Sequence, residues 1–277
     1  MKELEIIQQF EKDFIEAGKM AVRLRSQAII SNKYSSGIKD IDIVTTSDLA
    51  VQETVLEKLA KSELKNCLLV GEEKTPGKRL FADHSDLVLT IDPIDGTMAY
   101  ATGGKYYSII ITIHDRKRPI YTFDYFPEIN WGIKIVNDKI EFIGQRPDLS
   151  NITIPSKTIA YPAFKGKAHP KIALGKLYEK LVKDGYSFKT KDDLGHGLGA
   201  TLSFVLGLTD GFFYEDGSAV DCLVGMHYGL AKGYTIFNTM DITEPKPSDF
   251  SGGTEEYKGY YLILKQEKPT YNTKDQK

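Results

Sequence analysis

An apolar run, Leu87 to Ile91, ends directly on Asp92. Asp95 follows after Pro93 and Ile94, and Gly96 and Thr97 close the motif. Two carboxylates so close in one turn repel each other, so either one takes up a proton or a cation neutralises both. Hard oxygen donors, with no His or thiolate beside them, favour magnesium over zinc or copper. Pro93 stiffens the segment, and Gly96 permits a turn that a side chain would obstruct. A solvated Asp-rich turn is the plain alternative. Glu72, Asp92 and Asp95 each follow a strand-like apolar run, where layered α and β proteins place ligand-binding groups.

The rest of the chain supports that setting. Ile7, Phe10, Phe14, Ala17, Ala21, Leu24 and Ala28 mark one face of an N-terminal helix. Residues 31–40 have turn chemistry and read as a loop. Ser47 is placed to cap a second helix reaching about Lys61, with Asp48 in its first turn. Strands are expected over residues 68–70, 87–91, 108–114, 119–126, 132–136 and 139–143, with the Asp92 motif as a loop and Asn137-Asp138 as a turn. Later come helices over 170–183, 200–206 and 219–231, and strands over 212–214 and 259–266. Alternating elements in both halves argue layered α and β structure. A boundary between two lobes is expected near residues 147–156.

Composition narrows the function. The 277 residues are 41% hydrophobic and 27% charged, with a formal net charge of −2. That balance leaves no basic footprint for nucleic acid or an anionic membrane. Only Cys67 and Cys222 are present, far apart, which argues against a disulfide framework or a thiolate zinc site. No apolar run approaches the ~20 residues of a membrane span. The opening Met1-Lys2-Glu3 lacks signal-peptide layout, so a cytoplasmic location is expected.

Read in order, Asp42 to Asp48, Glu72-Glu73 after Gly71, the Asp92 to Thr97 run, Gly197-Leu198-Gly199-Ala200, Phe213-Tyr214-Glu215 and Asp221 resemble the signature of the inositol-monophosphatase superfamily. The resemblance spans about residues 35–235. It implies an α+β fold, a layered αβαβα sandwich of the sugar-phosphatase type. One phosphatase domain would cover residues 1–277, with lobes at about 1–150 and 151–277. It also implies magnesium-dependent hydrolysis of a small phosphate monoester, sensitive to lithium. Glu72, Asp92 and the Ile94 carbonyl would hold one Mg2+; Asp92, Asp95 and Asp221 would hold a second; a third would bind beside Glu72. Asp48 and Thr97 would orient the attacking water. Gly96, Thr97, Gly197 and Glu215 would face the substrate, a small phosphorylated metabolite.

Departures from the family pattern bear on substrate. Val220 stands where Trp is usual, and Asp216 could compete with Asp221. Met98, Ala99 and Tyr100 replace a polar pair and Phe, so Tyr100 and the Gly103-Gly104 turn could admit a larger, flatter group. Phosphoadenosine-phosphate and fructose-bisphosphate phosphatases are therefore the alternatives to an inositol-phosphate enzyme. An aspartyl-phosphate phosphatase would need one residue fewer between Asp92 and Asp95. An EF-hand would need Glu where Gly103 stands. A non-catalytic phosphate-binding or metal-binding protein is the remaining class. Trp131 reads as core or as subunit contact in a homodimer.

Overall fold

In the computed structural model, which describes residues 2–32, 43–162, 169–247 and 255–265, the chain opens with helices α1 (Lys2–Gln8) and α2 (Glu11–Leu24). The single N-terminal helix expected is broken at Gln9 and Phe10, whose N–H groups bond back three residues, to Ile6 and Ile7. Ile7, Phe14, Ala17 and Ala21 still reach one core. Short strands β1 (Ile30–Asn32) and β2 (Ile43–Thr45) pair antiparallel. Ser31 and Asn32 are thus extended rather than looped; the rest of the expected loop, and Asp42, lie outside the described residues.

Helix α3 (Thr46–Leu59) is capped by Thr45, not Ser47. The Thr45 side chain accepts the N–H groups of Ser47 and Asp48, while the Asp48 carboxylate accepts the Thr45 N–H. This reciprocal box satisfies donors that the first helical turn would otherwise strand.

The central sheet runs β3 (Leu68–Gly71), β4 (Val88–Asp95), β5 (Ser108–His114), β6 (Pro119–Phe126), β7 (Trp131–Val136) and β8 (Lys139–Gly144) in spatial order, with a short helix α4 (Thr97–Ala101) between β4 and β5. The β3–β4 pair is parallel and the rest antiparallel. Every residue of β5 and β6 is buried, so both faces of the sheet are covered. Trp131 is 2% exposed and lies in the core of its own chain.

The second half begins with β9 (Thr158–Ala160), then α5 (Pro170–Leu174) and α6 (Lys176–Lys183), which divide the expected 170–183 helix at Gly175. Next come β10 (Ser187–Lys189), α7 (Lys191–Leu194), α8 (Ala200–Val205), β11 (Gly211–Ser218) and α9 (Leu223–Ala231). The chain continues through β12 (Thr235–Asn238), β13 (Asp241–Pro247) and β14 (Glu255–Leu264). The second sheet is ordered β10-β9-β11-β14-β12, and β13 also pairs with β14.

Three apolar clusters join these elements into five layers. One packs α1, α2 and α3 on the central sheet. Another places α8 and α9 between the two sheets, with Ile110 and Ile133 meeting Leu223, Phe212 and Tyr261. The last seats α5 and α6 on the outer face of the second sheet, around Leu174, Leu181 and Phe213. The fold is an α+β sandwich in αβαβα order.

Candidate metal centre

Parallel pairing of β3 with β4 sets Gly71 opposite Ile91, so Glu72 and Asp92 emerge at the same end of the sheet. The Glu72 N–H donates to the Ile91 carbonyl at 3.0 Å. Strand β4 does not give way to a loop at Asp92, as expected, but continues to Asp95. Asp92 pairs with Ile110 and Asp95 with Ser108, three steps on β4 against two on β5. In a regular strand Asp92 and Asp95 would point to opposite faces; the extra residue turns both to one face. Ile94 packs into the helix-side core, and its N–H donates to Asp92 Oδ1 at 3.0 Å.

Asp221 arrives from the other half of the chain, just before α9. Tyr214, on the inward face of β11, donates its hydroxyl to Asp221 Oδ1 at 3.0 Å. Ligand oxygens of Asp92, Asp95 and Asp221 then lie within 4.8 Å of one another. Asp216 turns elsewhere: Oδ1 accepts the Gly259 N–H at 2.8 Å, and Lys258 lies 3.8 Å from Oδ2.

Burial pushes the Asp92 carboxyl well above the usual range, and Glu72, Asp95 and Asp221 add to the effect. Asp95 is pushed up to about 7 by desolvation and then by Asp124 and Glu72, with Lys191 acting the other way. Such a cluster stabilises either a proton or a cation. Because the trio is all carboxylate, the set fits a hard, oxygen-seeking divalent cation.

Beside the trio, Gly96 adopts φ +87°, a left-handed conformation that starts α4 and sets Thr97 inward. Thr97 Oγ1 lies 3.2 Å from the Ile94 carbonyl and 3.4 Å from Asp48 Oδ1, both of which accept. Asp48 is fully buried, held by its capping bonds. The structure thus groups Asp48, Glu72, Asp92, Ile94, Asp95, Gly96, Thr97 and Asp221. Gly197 lies in the turn before α8, with φ +74°. Glu215 follows Tyr214 on β11, and strand alternation sends it to the face away from Asp221.

Tyr100 is not a wall for a flat ligand. It is fully buried; its hydroxyl donates to the Ala21 carbonyl at 2.8 Å and accepts from the Ser47 hydroxyl at 2.8 Å. Arg25 binds the carbonyls of Tyr100 and Gly104 and pairs with Glu128 at 2.6 Å, fixing the 103–104 turn.

Four contributors escaped the sequence reading. Gln52 accepts the Glu73 N–H at 3.0 Å and donates to the Glu73 carbonyl at 2.7 Å, bracing the segment that carries Glu72. Tyr214 aims Asp221. Asp124 and Lys191 alter the charge around Asp95. The one legible hint was Asp124, a lone acid inside the apolar pattern of β6.

Comparison with known proteins gives a family and a shared fold. The model of the inositol monophosphatase family matches residues 5–153. Inositol monophosphatase 1 of Saccharomyces cerevisiae is 25% identical over 166 residues, 55% of this chain and 54% of that protein. The chain spans about half the length of the curated relatives it matches. The solved IMPase of Thermotoga maritima aligns at 18% identity and TM-score 0.61, over 96% of this chain and 92% of that one. An IMPase/NADP phosphatase solved with Mg2+ and phosphate aligns at 14% identity and TM-score 0.61, over 95% and 92%.

Proposed function

Because this chain belongs to the inositol monophosphatase family, we propose that it is a magnesium-dependent phosphatase acting on a small phosphate monoester. The observation that carries this reading is the convergence of Asp92, Asp95 and Asp221 from opposite halves of the chain. Four carboxylates, Glu72 with these three, would hold two or three Mg2+ ions, with the Ile94 carbonyl beside them. The ions would supply an activated water and stabilise charge on the departing oxygen.

The protein's own groups then have defined tasks. Thr97 has one hydroxyl proton. When it donates to Asp48, its lone pairs can accept a hydrogen bond from the attacking water and hold that water in line with phosphorus. Asp48 is buried and anchored to Thr45, so it directs Thr97 without wandering. The backbone N–H groups of Gly96 and Thr97 would receive phosphate oxygens. Lys191, felt electrostatically at Asp95, is placed to offset substrate charge. The leaving group is set by the surroundings. With Tyr100 turned inward, it offers no ring for a nucleotide to stack on, and an inositol-phosphate-like substrate is the first choice. Phosphoadenosine phosphate and fructose bisphosphate are the alternatives, and lithium inhibition belongs to the same proposal.

The test is phosphate release from inositol phosphate, phosphoadenosine phosphate and fructose bisphosphate across a magnesium titration. Magnesium-dependent turnover, fastest on inositol phosphate, is expected. A hundredfold preference for the nucleotide would replace the substrate choice. Release of no phosphate from any of the three, with magnesium saturating, would overturn the reading.

A further inference from the structure

A fifth carboxylate faces the centre without belonging to the trio. Asp92, Ile110, Asp124 and Ile133 form one cross-strand row over β4 to β7. Residues paired in a row share a face. Ile110 and Ile133 show that this face looks toward the layer between the sheets. Ser108, the partner of Asp95, lies two residues from Ile110 on the same face, diagonal to Asp124, whose carboxyl its hydroxyl lowers.

Asp124 is 3% exposed and Ser108 1%. Asp124 Oδ1 and Ser108 Oγ are both buried without a close hydrogen-bond partner among the described residues; the neighbouring Ser108 hydroxyl lowers the Asp124 carboxyl, but burial outweighs it and pushes the group up to about 7. A buried carboxylate in that condition is costly, because its desolvation is only partly offset. An apolar residue at this position of β6 would continue the core at no such cost. The charge of Asp124 is also the largest electrostatic influence on Asp95 after burial itself.

We propose that Asp124 is a positioning residue of the cation site, acting beside Ser108 to orient Asp95 and to add negative charge that holds the divalent ion. The inference rests on the metal-dependent reading above but concerns ion binding rather than turnover. Its role is outer: Asp95 touches the ion, and Asp124 acts on Asp95. Outer groups of this kind change metal affinity about 10-fold to 100-fold when removed.

Isothermal titration of the full chain with Mg2+ alone, and separately with Mn2+ alone, tests it. Asp124→Asn keeps the size and hydrogen-bonding capacity but removes the charge, so a role in core packing would tolerate it. The expected result is about 10-fold weaker ion binding or worse, with Asp124→Glu recovering part of the loss. The ion-induced rise in melting temperature should shrink in parallel, while the ion-free melting temperature holds or increases. Affinity within twofold of the native chain overturns the inference and leaves the proposed function standing. Should Asp124→Asn fail to fold, Ser108→Ala decides: weakening of threefold or more supports the link, and unchanged affinity overturns it. A native chain that binds neither ion overturns this inference together with the reading beneath it.

Discussion

At the scale of single residues, the centre depends on charge held where charge is costly. Asp95 is the informative position, since burial, Asp124 and Glu72 together outweigh Lys191 and push its carboxyl up to about 7. Asp95→Asn removes the repulsion and a proposed ligand together. The variant should fold at least as well as the native chain and lose about a thousandfold or more in phosphate release, roughly 4 kcal/mol of barrier. Thermal melts beside rate measurements at saturating magnesium check both halves. Thr97→Ala separates ion binding from water orientation. Ion affinity measured by titration should stay within a few-fold, while kcat falls about 100-fold or more with the oriented hydroxyl gone. Native rates in either variant would place the chemistry elsewhere.

At the scale of elements, the site exists because β4 carries an extra residue and α9 sits flush on β11. Gly225 makes that contact: a methyl group there would come within 2.5 Å of the Phe212 ring and 3.1 Å of the Tyr261 hydroxyl. Phe212 has its own ring partners, Phe204, Tyr214 and Tyr261, so it has little room to retreat. Gly225→Ala should therefore cost about 1–3 kcal/mol, read from urea unfolding. It should also weaken ion binding, because Asp221 is carried at the start of α9. A variant of native stability would mean that the helix shifts without strain. The caps work on the same scale. Thr45 both begins α3 and holds Asp48, so one hydrogen-bonded box serves helix and site.

For the molecule as a whole, the seam between the central sheet and the second half contains two buried histidines. His227 Nε2 lies 2.6 Å from the Asn137 carbonyl and must donate to it; in the neutral ring Nδ1 then accepts from Thr122 at 2.8 Å. His114 Nδ1 accepts the Arg116 N–H, and Nε2 faces the Tyr257 hydroxyl. Burial pushes both rings down to about 4, so each is neutral at neutral pH, in keeping with these contacts. Their ordinary value is 6.5, so between 6.5 and 4 the unfolded chain binds more protons than the folded one. Stability is full above pH 6.5 and falls as pH drops toward 4, by up to roughly 3 kcal/mol for each ring. Urea midpoints between pH 4.5 and 7 should show that slope, and His227→Gln should lessen it. A flat profile over this range would mean that the rings titrate normally.

The chain written out carries the apolar runs of β4, β5 and β6, the pair Asp92 and Asp95, and the Gly96-Thr97 turn, so the alternation of layers and the presence of a carboxylate site were legible before any fold. These are local properties, set by periodicity and by residues a few positions apart. The strand bulge was not legible, because its register depends on what β5 offers opposite. Nor were the inward turn of Tyr100, the brace from Gln52, the aim of Tyr214 or the place of Asp124, since each depends on partners distant in sequence. The short strands β1, β9, β10 and β12, three or four residues each, are too brief for a period to register and form because neighbouring strands offer them bonds. The choice between Asp216 and Asp221 was likewise tertiary. Spacing leaves both available, and only the contact of Asp216 with Gly259 and Lys258 on β14 frees Asp221 alone to meet Asp92. Sequence thus determined which carboxylates the chain offers, and packing across the two sheets decided which of them meet at the proposed cation site.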